Sequence, residues 1–412
     1  MKIAMLVEFF YPFDRGGSEI STFILAKQLS KKYEISVITP NFGTKNREKI
    51  GRVEIIRFPF YKKLKDKKAF FSPYFTNNLF WFIYSAIQIY RIVKKEKIDI
   101  LHIQSKSFIV GACLANLALR KSVIITFRDY QSICNLGFCL LKKDKSCDLP
   151  EYLFSDIPYF LKNYTNGSQA VKLLFPVFAL RSRIMDNLIN FAAKSIKYKI
   201  CISKRQREIF IINGFKDINV IHNTVDFKKI RIKKTNKIIY VGKLTPAKGI
   251  LPIVKELLIL KTINYKVQII GKGVLENKIK NAIHKNFKKS KFEVIPYLKH
   301  DELLKQIASA KLLIVPSIWQ EPFGRVAIEA LSVSTPLVVS DKGDLSEIVR
   351  DKVYGRVVSS EPKNFVQTIT EVYKKSKYFQ EKIKNDYKKI YVKYNTEPAF
   401  KYMSLYKEIV NK

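Results

Sequence analysis

Short apolar runs alternate with amphipathic helical stretches along the chain, and this alternation limits the fold more than any other feature of the sequence. The runs end in polar or turn residues and cover residues 2–8, 35–39, 53–58, 98–103, 122–126 and 198–202, and then 238–241, 267–270, 292–295, 312–315 and 337–340. Strands that alternate with helices form parallel sheets covered by helices. The predicted fold class is therefore α/β, with two doubly wound, Rossmann-like domains.

A polar, lysine-rich segment at residues 226–236 separates the two series of strands. This break predicts an N-terminal domain at residues 1–228 and a C-terminal domain at residues 229–412. In open α/β sheets, ligands bind in the crevice beyond the carboxyl ends of the strands. We therefore expect the two domains to face a central cleft that is lined by the loops after the strands.

The chain is strongly basic, with 75 Lys and Arg against 35 Asp and Glu and a formal net charge of +40. Such a charge attracts anions, whether phosphate-bearing small molecules, nucleic acid or an acidic membrane surface. The excess is spread over both halves of the chain and forms no basic arm, which argues against a nucleic-acid-binding protein. We predict an anionic membrane surface as a partner, and no nucleic acid.

Two apolar stretches bear on localisation. Residues 2–7 are followed directly by Glu8 and by no small-residue cleavage site, so they do not match a secretory signal. Residues 79–93 contain Ser85, Gln88 and Arg91 and are too short and too polar to span a bilayer. The sequence predicts a cytoplasmic protein that is either soluble or peripheral on the cytoplasmic face of the membrane.

Residues 58–90 combine clustered lysines with aromatic side chains. The lysines are Lys62, Lys63, Lys65, Lys67 and Lys68, and the aromatic residues include Phe70, Phe71, Tyr74, Phe75, Phe80, Trp81 and Phe82. Basic and aromatic side chains on one segment suit a membrane interface. They equally suit a loop and a helix that packs on the first domain. Residues 152–178 are open to the same two interpretations.

The most informative segment covers residues 316–330 and has the sequence P-S-I-W-Q-E-P-F-G-R-V-A-I-E-A. A buried strand runs into this loop, and we predict a helix that starts near Phe323. Free backbone N–H groups at such a helix start bind anions or hydroxyl groups. Glu321 precedes the helix and Glu329 lies about two turns inside it. One carboxylate can hold a sugar ring and the other a ribose; alternatively, they are a helix-terminal charge and an ordinary surface residue.

Residues 316–330 resemble the donor-binding signature of the family 4 retaining glycosyltransferases, which have the GT-B fold. Residues 240–249, Y-V-G-K-L-T-P-A-K-G, are similar to a second hallmark of that family. Further matches lie at residues 11–19, 220–226 and 269–273, in the expected order over both domains. The resemblance implies the GT-B fold, and we expect the last helix to cross back to the first domain.

The resemblance also implies roles in donor binding. Gly16 and Gly17 let the first-domain loop approach the diphosphate without an obstructing Cβ. Backbone amides near Phe323 and Gly324 contact the sugar or the phosphate. The rest of the implied donor-binding set consists of Lys243, Lys248, Glu321, Pro322, Arg325 and Glu329.

Two cations and two carboxylates carry the implied chemistry. Lys243 and Lys248 neutralise the leaving diphosphate, and stabilising that growing charge is the main task of such a site. Glu321 binds the donor sugar and Glu329 the ribose. No D-x-D sequence occurs in the chain, so we expect no metal and no cofactor, with lysines in place of a metal ion.

The sequence departs from the family pattern at three positions. Lys243 stands where Arg is usual, which keeps the charge but loses the bidentate fork. Ser334 and Asp344 occupy positions that are often glycine. These changes leave the identity of the donor base and sugar open.

Four histidines occur in the chain. His102 resembles a family position that faces the acceptor side of the cleft, and we include it in the catalytic set with Glu321, Lys248 and Lys243, although a lone strand histidine is more often structural. The other histidines, His222, His284 and His300, fall on predicted loops or helix surfaces.

A short segment after a first-domain strand resembles a family T-x-His-Asp turn, with Arg128 in place of the histidine. Arg128 stays protonated and cannot act as a base. We expect Arg128 and Asp129 on the acceptor side.

Three of the five cysteines, Cys134, Cys139 and Cys147, are close in sequence. Their spacing matches no standard zinc pattern. Metal binding and a single disulfide with a spare thiol both stay open.

The predicted activity is retaining transfer of a hexose from a nucleotide diphosphate sugar to an acceptor hydroxyl. The expected acceptor is a lipid-linked sugar or a surface glycan in polysaccharide or glycoprotein glycan assembly. The alternatives are another GT-B enzyme, such as a sugar-nucleotide epimerase or a phosphorylase, and a basic nucleic-acid-binding protein. The oligomeric state stays open.

Overall fold

The computed structural model describes residues 1–13, 16–64, 75–134, 136, 140, 143–164, 169–228, 230, 232–260, 264–286, 289–296 and 298–411. Residues Lys65, Lys67, Lys68, Phe70, Phe71, Tyr74 and Cys139, which the sequence singles out, lie outside these ranges, as does part of the stretch 152–178.

The first part of the chain forms an eight-stranded sheet among the described residues. Its strands are β1 Lys2–Leu6, β2 Glu34–Pro40, β3 Arg47–Ile50, β4 Val53–Phe58, β5 Ile100–Ile103, β6 Ser122–Phe127, β7 Tyr198–Cys201 and β8 Ile218–Val220. The helices are α1 Gly17–Leu29, α2 Leu79–Glu96, α3 Ile109–Leu119, α4 Leu149–Glu151, α5 Ile157–Tyr164, α6 Gln169–Ser195 and α7 Lys204–Ile212, with a π-helical turn at Tyr152–Asp156. The strand order is β3-β4-β2-β1-β5-β6-β7-β8, and only the edge strand β3 runs antiparallel to its neighbour.

The second part forms a six-stranded, wholly parallel sheet. Its strands are β9 Thr235–Val241, β10 Lys266–Ile270, β11 Phe292–Ile295, β12 Ala310–Val315, β13 Leu337–Ser340 and β14 Gly355–Val358. The helices are α8 Ile250–Ile259, α9 Glu276–His284, α10 His300–Ser309, α11 Arg325–Ser332, α12 Leu345–Val349, α13 Pro362–Lys374, α14 Ser376–Asn385, α15 Tyr387–Tyr391 and α16 Glu397–Val410. The strand order is β11-β10-β9-β12-β13-β14.

The central strands are buried on both faces, which explains their continuous apolar runs. Three short edge strands, β3, β8 and β14, were not predicted from the sequence. Edge strands tolerate charged residues, and Arg47, Glu48 and Lys49 replace an apolar run in β3. The strands β8 and β14 have only three and four residues and give too short a pattern.

The last helix, α16, packs on the first sheet. Its Tyr402, Tyr406 and Ile409 belong to one buried cluster with Ile3 of β1 and Ile35 of β2. The two ends of the chain therefore share a core. Within the described part of the chain, no helix combines the length and the apolar character that crossing a bilayer requires.

Candidate active site

The strand order of the second sheet creates a crevice between β9 and β12. The chain adds β10 and β11 on one side of β9 and then returns to place β12 on the other side. Loops at such a switch point diverge and leave room for a ligand. The loop after β9 carries Lys243 and Lys248, and the loop after β12 carries Glu321.

Backbone hydrogen bonds join these two loops. The N–H groups of Ile318 and Trp319 donate to the carbonyl oxygen of Ala247 at 3.0 and 3.1 Å. Gly249 has φ of 67°, and a Cβ there would lie 2.0 Å from the carbonyl oxygen of Pro316. Only glycine permits this approach, so the pairing of the loops depends on it.

Lys248 and Glu321 form an ion pair in the crevice, with 2.5 Å between Nζ and Oε1. Glu321 is only 7% exposed. Its backbone is held from the other side, because the Asp344 N–H donates to the Glu321 carbonyl oxygen at 2.9 Å and Gly343 lies against it with φ of 66°. The structure therefore brings Lys248 and Glu321 together, and these contacts orient the Glu321 carboxylate.

Lys243 lies on the same loop with an exposed side chain. The Tyr240 hydroxyl donates to the Lys243 carbonyl oxygen at 2.9 Å, which fixes the backbone and leaves the amine facing solvent. The charge of Lys243 also acts on Asp129 of the first domain. Burial raises the pKa of Asp129, and the charges of Lys106 and Lys243 oppose that rise.

Arg325 links the predicted ribose carboxylate to the glycine loop of the first domain. Its Nε donates to Glu329 Oε1 at 2.8 Å, and its Nη1 donates to the Ser21 hydroxyl at 2.6 Å. A Cβ on Gly17 would lie 3.1 Å from Arg325 Cδ. Gly17, the first residue of α1, therefore leaves room for this side chain, and Gly16 is the N-cap of the same helix, which carries Ser21.

His300 is a residue of this region that sequence reasoning missed. It begins α10, and its Nδ1 lies 3.9 Å from Glu329 Oε1. Its Nε2 is buried and has no hydrogen-bond partner among the described residues. His300 follows β11, so it lies at the same edge of the sheet as the other cleft loops, and this position could have indicated that it belongs to the site.

The helix after the signature loop starts later than predicted. It begins at Arg325 and not near Phe323, because Gly324 has φ of 65° and cannot continue a right-handed helix. Glu329 consequently lies about one turn inside the helix. The Phe323 ring is buried against His222 and Tyr394, so only its backbone is available to a ligand.

Pro322 precedes Phe323 and is half-buried in the same loop. The aromatic ring of Trp319, in the first half of the loop, packs edge-on against Tyr130 of the first domain with 5.9 Å between ring centroids. The signature loop therefore contacts both domains.

The expected placement of His102 on the acceptor side of the cleft is wrong. Its side chain has no exposed surface and lies among Thr126 and, from α16, Tyr402 and Tyr406. Nδ1 lies 2.6 Å from the Tyr406 hydroxyl. Burial lowers the pKa of His102 well below its usual value, and the charge of Arg128 lowers it further. A neutral, enclosed imidazole cannot reach a substrate.

Gln104 connects His102 to Arg128. Arg128 can only donate, and its Nε lies 2.9 Å from Gln104 Oε1. The Gln104 amide nitrogen therefore turns to His102 Nε2, at 2.9 Å, and makes that nitrogen the acceptor. The proton of the neutral ring is then on Nδ1.

Arg128 is largely buried and also donates to the Asn223 side chain, in the segment that connects the two domains. Burial lowers the pKa of Arg128. Asp129, beside it, accepts a hydrogen bond from the Gln131 N–H. The predicted acceptor-side residues thus lie at the domain junction, with the guanidinium engaged by protein groups.

Asp344 is a second residue whose environment was not predicted; the sequence shows only that it departs from the family pattern. The side chain is 2% exposed, and neither carboxylate oxygen has a hydrogen-bond partner among the described residues. Burial raises the pKa of Asp344 well above its usual value, with a smaller contribution from Glu347. The backbone N–H of Asp344, and not its carboxyl group, is bonded to the Glu321 carbonyl oxygen, so this buried carboxyl group belongs to the segment that holds the Glu321 backbone.

The fold has solved counterparts over its whole length. Sucrose-phosphate synthase from Thermosynechococcus elongatus matches with a TM-score of 0.72 at 16% identity, covering 100% of this chain and 99% of that one. HepE from Anabaena, solved in complex with UDP-glucose, matches with a TM-score of 0.67 at 14% identity, covering 99% of each chain. These likenesses confirm the predicted GT-B fold.

Two domains of this kind, with a signature loop at the switch point, define a glycosyltransferase of the group 1 type. The family model described as Glycosyltransferase Family 4 matches residues 15–229, and the model described as Glycosyl transferases group 1 matches residues 223–389. The chain belongs to glycosyltransferase family 4, as the motifs predicted. An uncharacterized glycosyltransferase of Methanocaldococcus jannaschii is 26% identical to it, over 100% of this chain and 97% of the relative.

Proposed function

We propose that the protein transfers a hexose from a nucleoside diphosphate sugar to an acceptor hydroxyl, with retention of the anomeric configuration. The observation that carries this proposal is the Lys248–Glu321 pair at the β9–β12 crevice, with Lys243 exposed on the same loop. A fixed carboxylate suits sugar hydroxyl groups, and the two amines suit a diphosphate. The crystal structure of the fold relative HepE with UDP-glucose supports a donor of this class.

The roles follow from the charges in the crevice. Lys243 and Lys248 would stabilise the negative charge that grows on the leaving diphosphate, so transfer would need no metal ion at this site. Glu321 would orient the donor sugar. Glu329 uses Oε1 for Arg325, and its other oxygen, Oε2, would accept from the ribose hydroxyls.

Retention would arise by attack on the same face as departure. The acceptor oxygen forms the new bond to the anomeric carbon while the bond to the phosphate oxygen breaks. The acceptor proton passes to that departing phosphate. Arg128 and Asp129, at the domain junction, would position the acceptor side, and His102 would act only by holding Gln104 and Arg128.

A broad apolar surface on the first domain supports a membrane-bound acceptor. Helix α3 packs against both α2 and α6. Among the side chains that the structure describes, the exposed apolar residues on these helices are Leu79, Phe80, Ile83, Ile87, Tyr90, Leu114, Leu117, Val177, Leu180, Ile184, Leu188 and Phe191. Exposed cations, including Lys62, Arg91 and Lys94, lie on α2 or the loop before it. Apolar side chains with a basic surround suit the surface of an anionic bilayer.

The chemistry can be tested by incubating the protein with UDP-, GDP- and ADP-sugars and a membrane extract that contains lipid-linked sugars. Release of nucleoside diphosphate should depend on the extract, and NMR of the product should show the anomeric configuration of the donor. Inverted product would overturn the retaining mechanism. Failure to consume any of these donors would overturn the donor class.

The membrane surface can be tested separately by sedimentation with phosphatidylglycerol and phosphatidylcholine vesicles. The double variant Phe80→Asp and Ile83→Asp should bind phosphatidylglycerol vesicles less than the unmodified protein. Ile259→Asp, at an equally exposed apolar residue of the second domain, is the matched control and should leave binding unchanged. Equal binding by all three proteins would exclude this surface.

A further inference from the structure

A buried cluster of two thiols and a carboxyl group lies in the first domain and is not part of the donor cleft. Cys134 is 1% exposed, Cys147 2% and Asp156 2%. One ligand atom from each, two Sγ and a carboxylate oxygen, lies within 4.8 Å of the others. We propose that this cluster is a structural zinc site.

The distance between two of the ligand atoms fits zinc coordination. Zinc binds thiolate sulfur at about 2.3 Å and carboxylate oxygen at about 2.0–2.2 Å in tetrahedral geometry, which separates a sulfur and an oxygen ligand by roughly 3.5 Å. The distance between Cys147 Sγ and Asp156 Oδ2 is 3.6 Å. This distance matches the separation of two zinc ligands, and Cys134 Sγ lies within 4.8 Å of the other two ligand atoms.

The charges of the ligands and of their neighbour Arg183 are also suitable for binding zinc. Two thiolates and a carboxylate carry one negative charge more than Zn²⁺ neutralises. Arg183, on α6, supplies a matching positive charge: its Nη1 lies 3.9 Å from Cys134 Sγ, and its Nη2 donates to the Cys147 carbonyl oxygen at 2.6 Å. Donors of this kind orient the ligands of a metal and stabilise thiolate sulfur. Binding releases the two thiol protons.

Two of the ligands, Cys134 and Cys147, come from loop segments, and the third, Asp156, comes from the helical stretch that begins with α4. Cys134 follows β6, Cys147 precedes α4, and Asp156 ends the π-helical turn. The Cys134 N–H also donates to the carbonyl oxygen of Tyr130, the residue that packs on Trp319 of the signature loop. A bound ion therefore joins these segments and holds the wall of the cleft next to the signature loop.

The first measurement is the metal content of the unmodified protein, purified with a reductant and desalted. Mass spectrometry of the elements should find about one zinc per chain. Protein loaded with Co²⁺ should show the near-ultraviolet charge-transfer absorption of thiolate ligands and visible bands of tetrahedral cobalt. Protein without zinc, with no cobalt absorption after loading, would overturn the proposal, as would a disulfide between Cys134 and Cys147 found by peptide mapping.

Variants assign the ligands. Cys147→Ser and Asp156→Asn should each lower the zinc content and change the cobalt spectrum. Cys113→Ser is the matched control, because Cys113 lies in α3 and contacts the Ala192 carbonyl oxygen. It should keep the zinc. A chelator should lower the melting temperature of the unmodified protein and of the control but not of Asp156→Asn; equal lowering in all three would contradict the assignment.

Discussion

Arg325 of the second domain and Ser21 of the first are joined by a hydrogen bond of 2.6 Å, which runs from Nη1 to the hydroxyl oxygen. The same guanidinium holds Glu329 through Nε. One side chain thus connects the proposed ribose carboxylate to the helix that follows the glycine loop. If Glu329 binds the ribose as proposed, we expect nucleotide binding and the position of the first domain to be coupled through Arg325.

Ser21→Ala removes the acceptor of this hydrogen bond and little else. A hydrogen bond to a charged group contributes about 1.5–3 kcal/mol, so kcat/KM for transfer should fall by roughly tenfold or more, with a small change in melting temperature. Ser30→Ala, after α1, is the control because its hydroxyl donates to the Lys27 carbonyl oxygen at the end of the same helix. Equal activity of the two variants would refute the coupling.

Glu321→Gln keeps the size of the side chain and removes its charge. The Lys248 amine then loses its partner, and the donor sugar loses a charged acceptor. Turnover should fall by about a hundredfold, as on removal of a single transition-state contact, while nucleoside diphosphate affinity changes little. Glu371→Gln, at an exposed residue paired with Arg356, should behave like the unmodified protein. Full turnover by Glu321→Gln would exclude the role of Glu321.

His102 should affect stability and not the pH profile of turnover. Its pKa is lowered in the folded state, so only the unfolded chain takes up a proton as the pH falls below about 6.5. This residue therefore costs up to about 1.4 kcal/mol of stability for each pH unit below that value. Thermal unfolding of His102→Asn between pH 5 and 8 should show a gap to the unmodified protein that narrows at low pH. A gap that widens there would mean that the folded state binds the proton.

For Asp344, we expect stability to change with pH in the direction opposite to that for His102. Its pKa is raised, so the folded state keeps a proton that the unfolded chain releases above about pH 4, and stability falls as the pH rises. A buried polar group without a partner costs about 1–3 kcal/mol. Asp344→Ala should therefore raise the melting temperature at pH 7.5 more than at pH 4.5. A loss of the same size at both pH values would contradict this.

The buried central strands of both sheets and the signature loop could be predicted from the sequence, because buried parallel strands are continuous apolar runs and the loop has a fixed residue pattern. The environment of His102 was not predictable. It depends on Tyr402 and Tyr406, about three hundred residues away, which reach it only because α16 packs on the first sheet. Contacts at such separations leave no local pattern.

The same limit explains other residues of the site. His300 approaches Glu329 from the start of α10, and Ser21 meets Arg325 from the other domain. The start of α11 was misplaced because a glycine in a helical pattern gives no sign of its positive φ. Local sequence indicated which loops form the cleft, and tertiary packing decided which side chains meet there.

The most direct test of the donor site is calorimetric titration with UDP, GDP and ADP, without added metal. We expect one nucleoside diphosphate to bind more tightly than the others, and affinity for it to fall by at least tenfold in Glu329→Gln, consistent with loss of a charged hydrogen bond. Glu371→Gln should bind as the unmodified protein does. Unchanged affinity in Glu329→Gln, or binding of none of the three nucleotides, would contradict the proposed donor site.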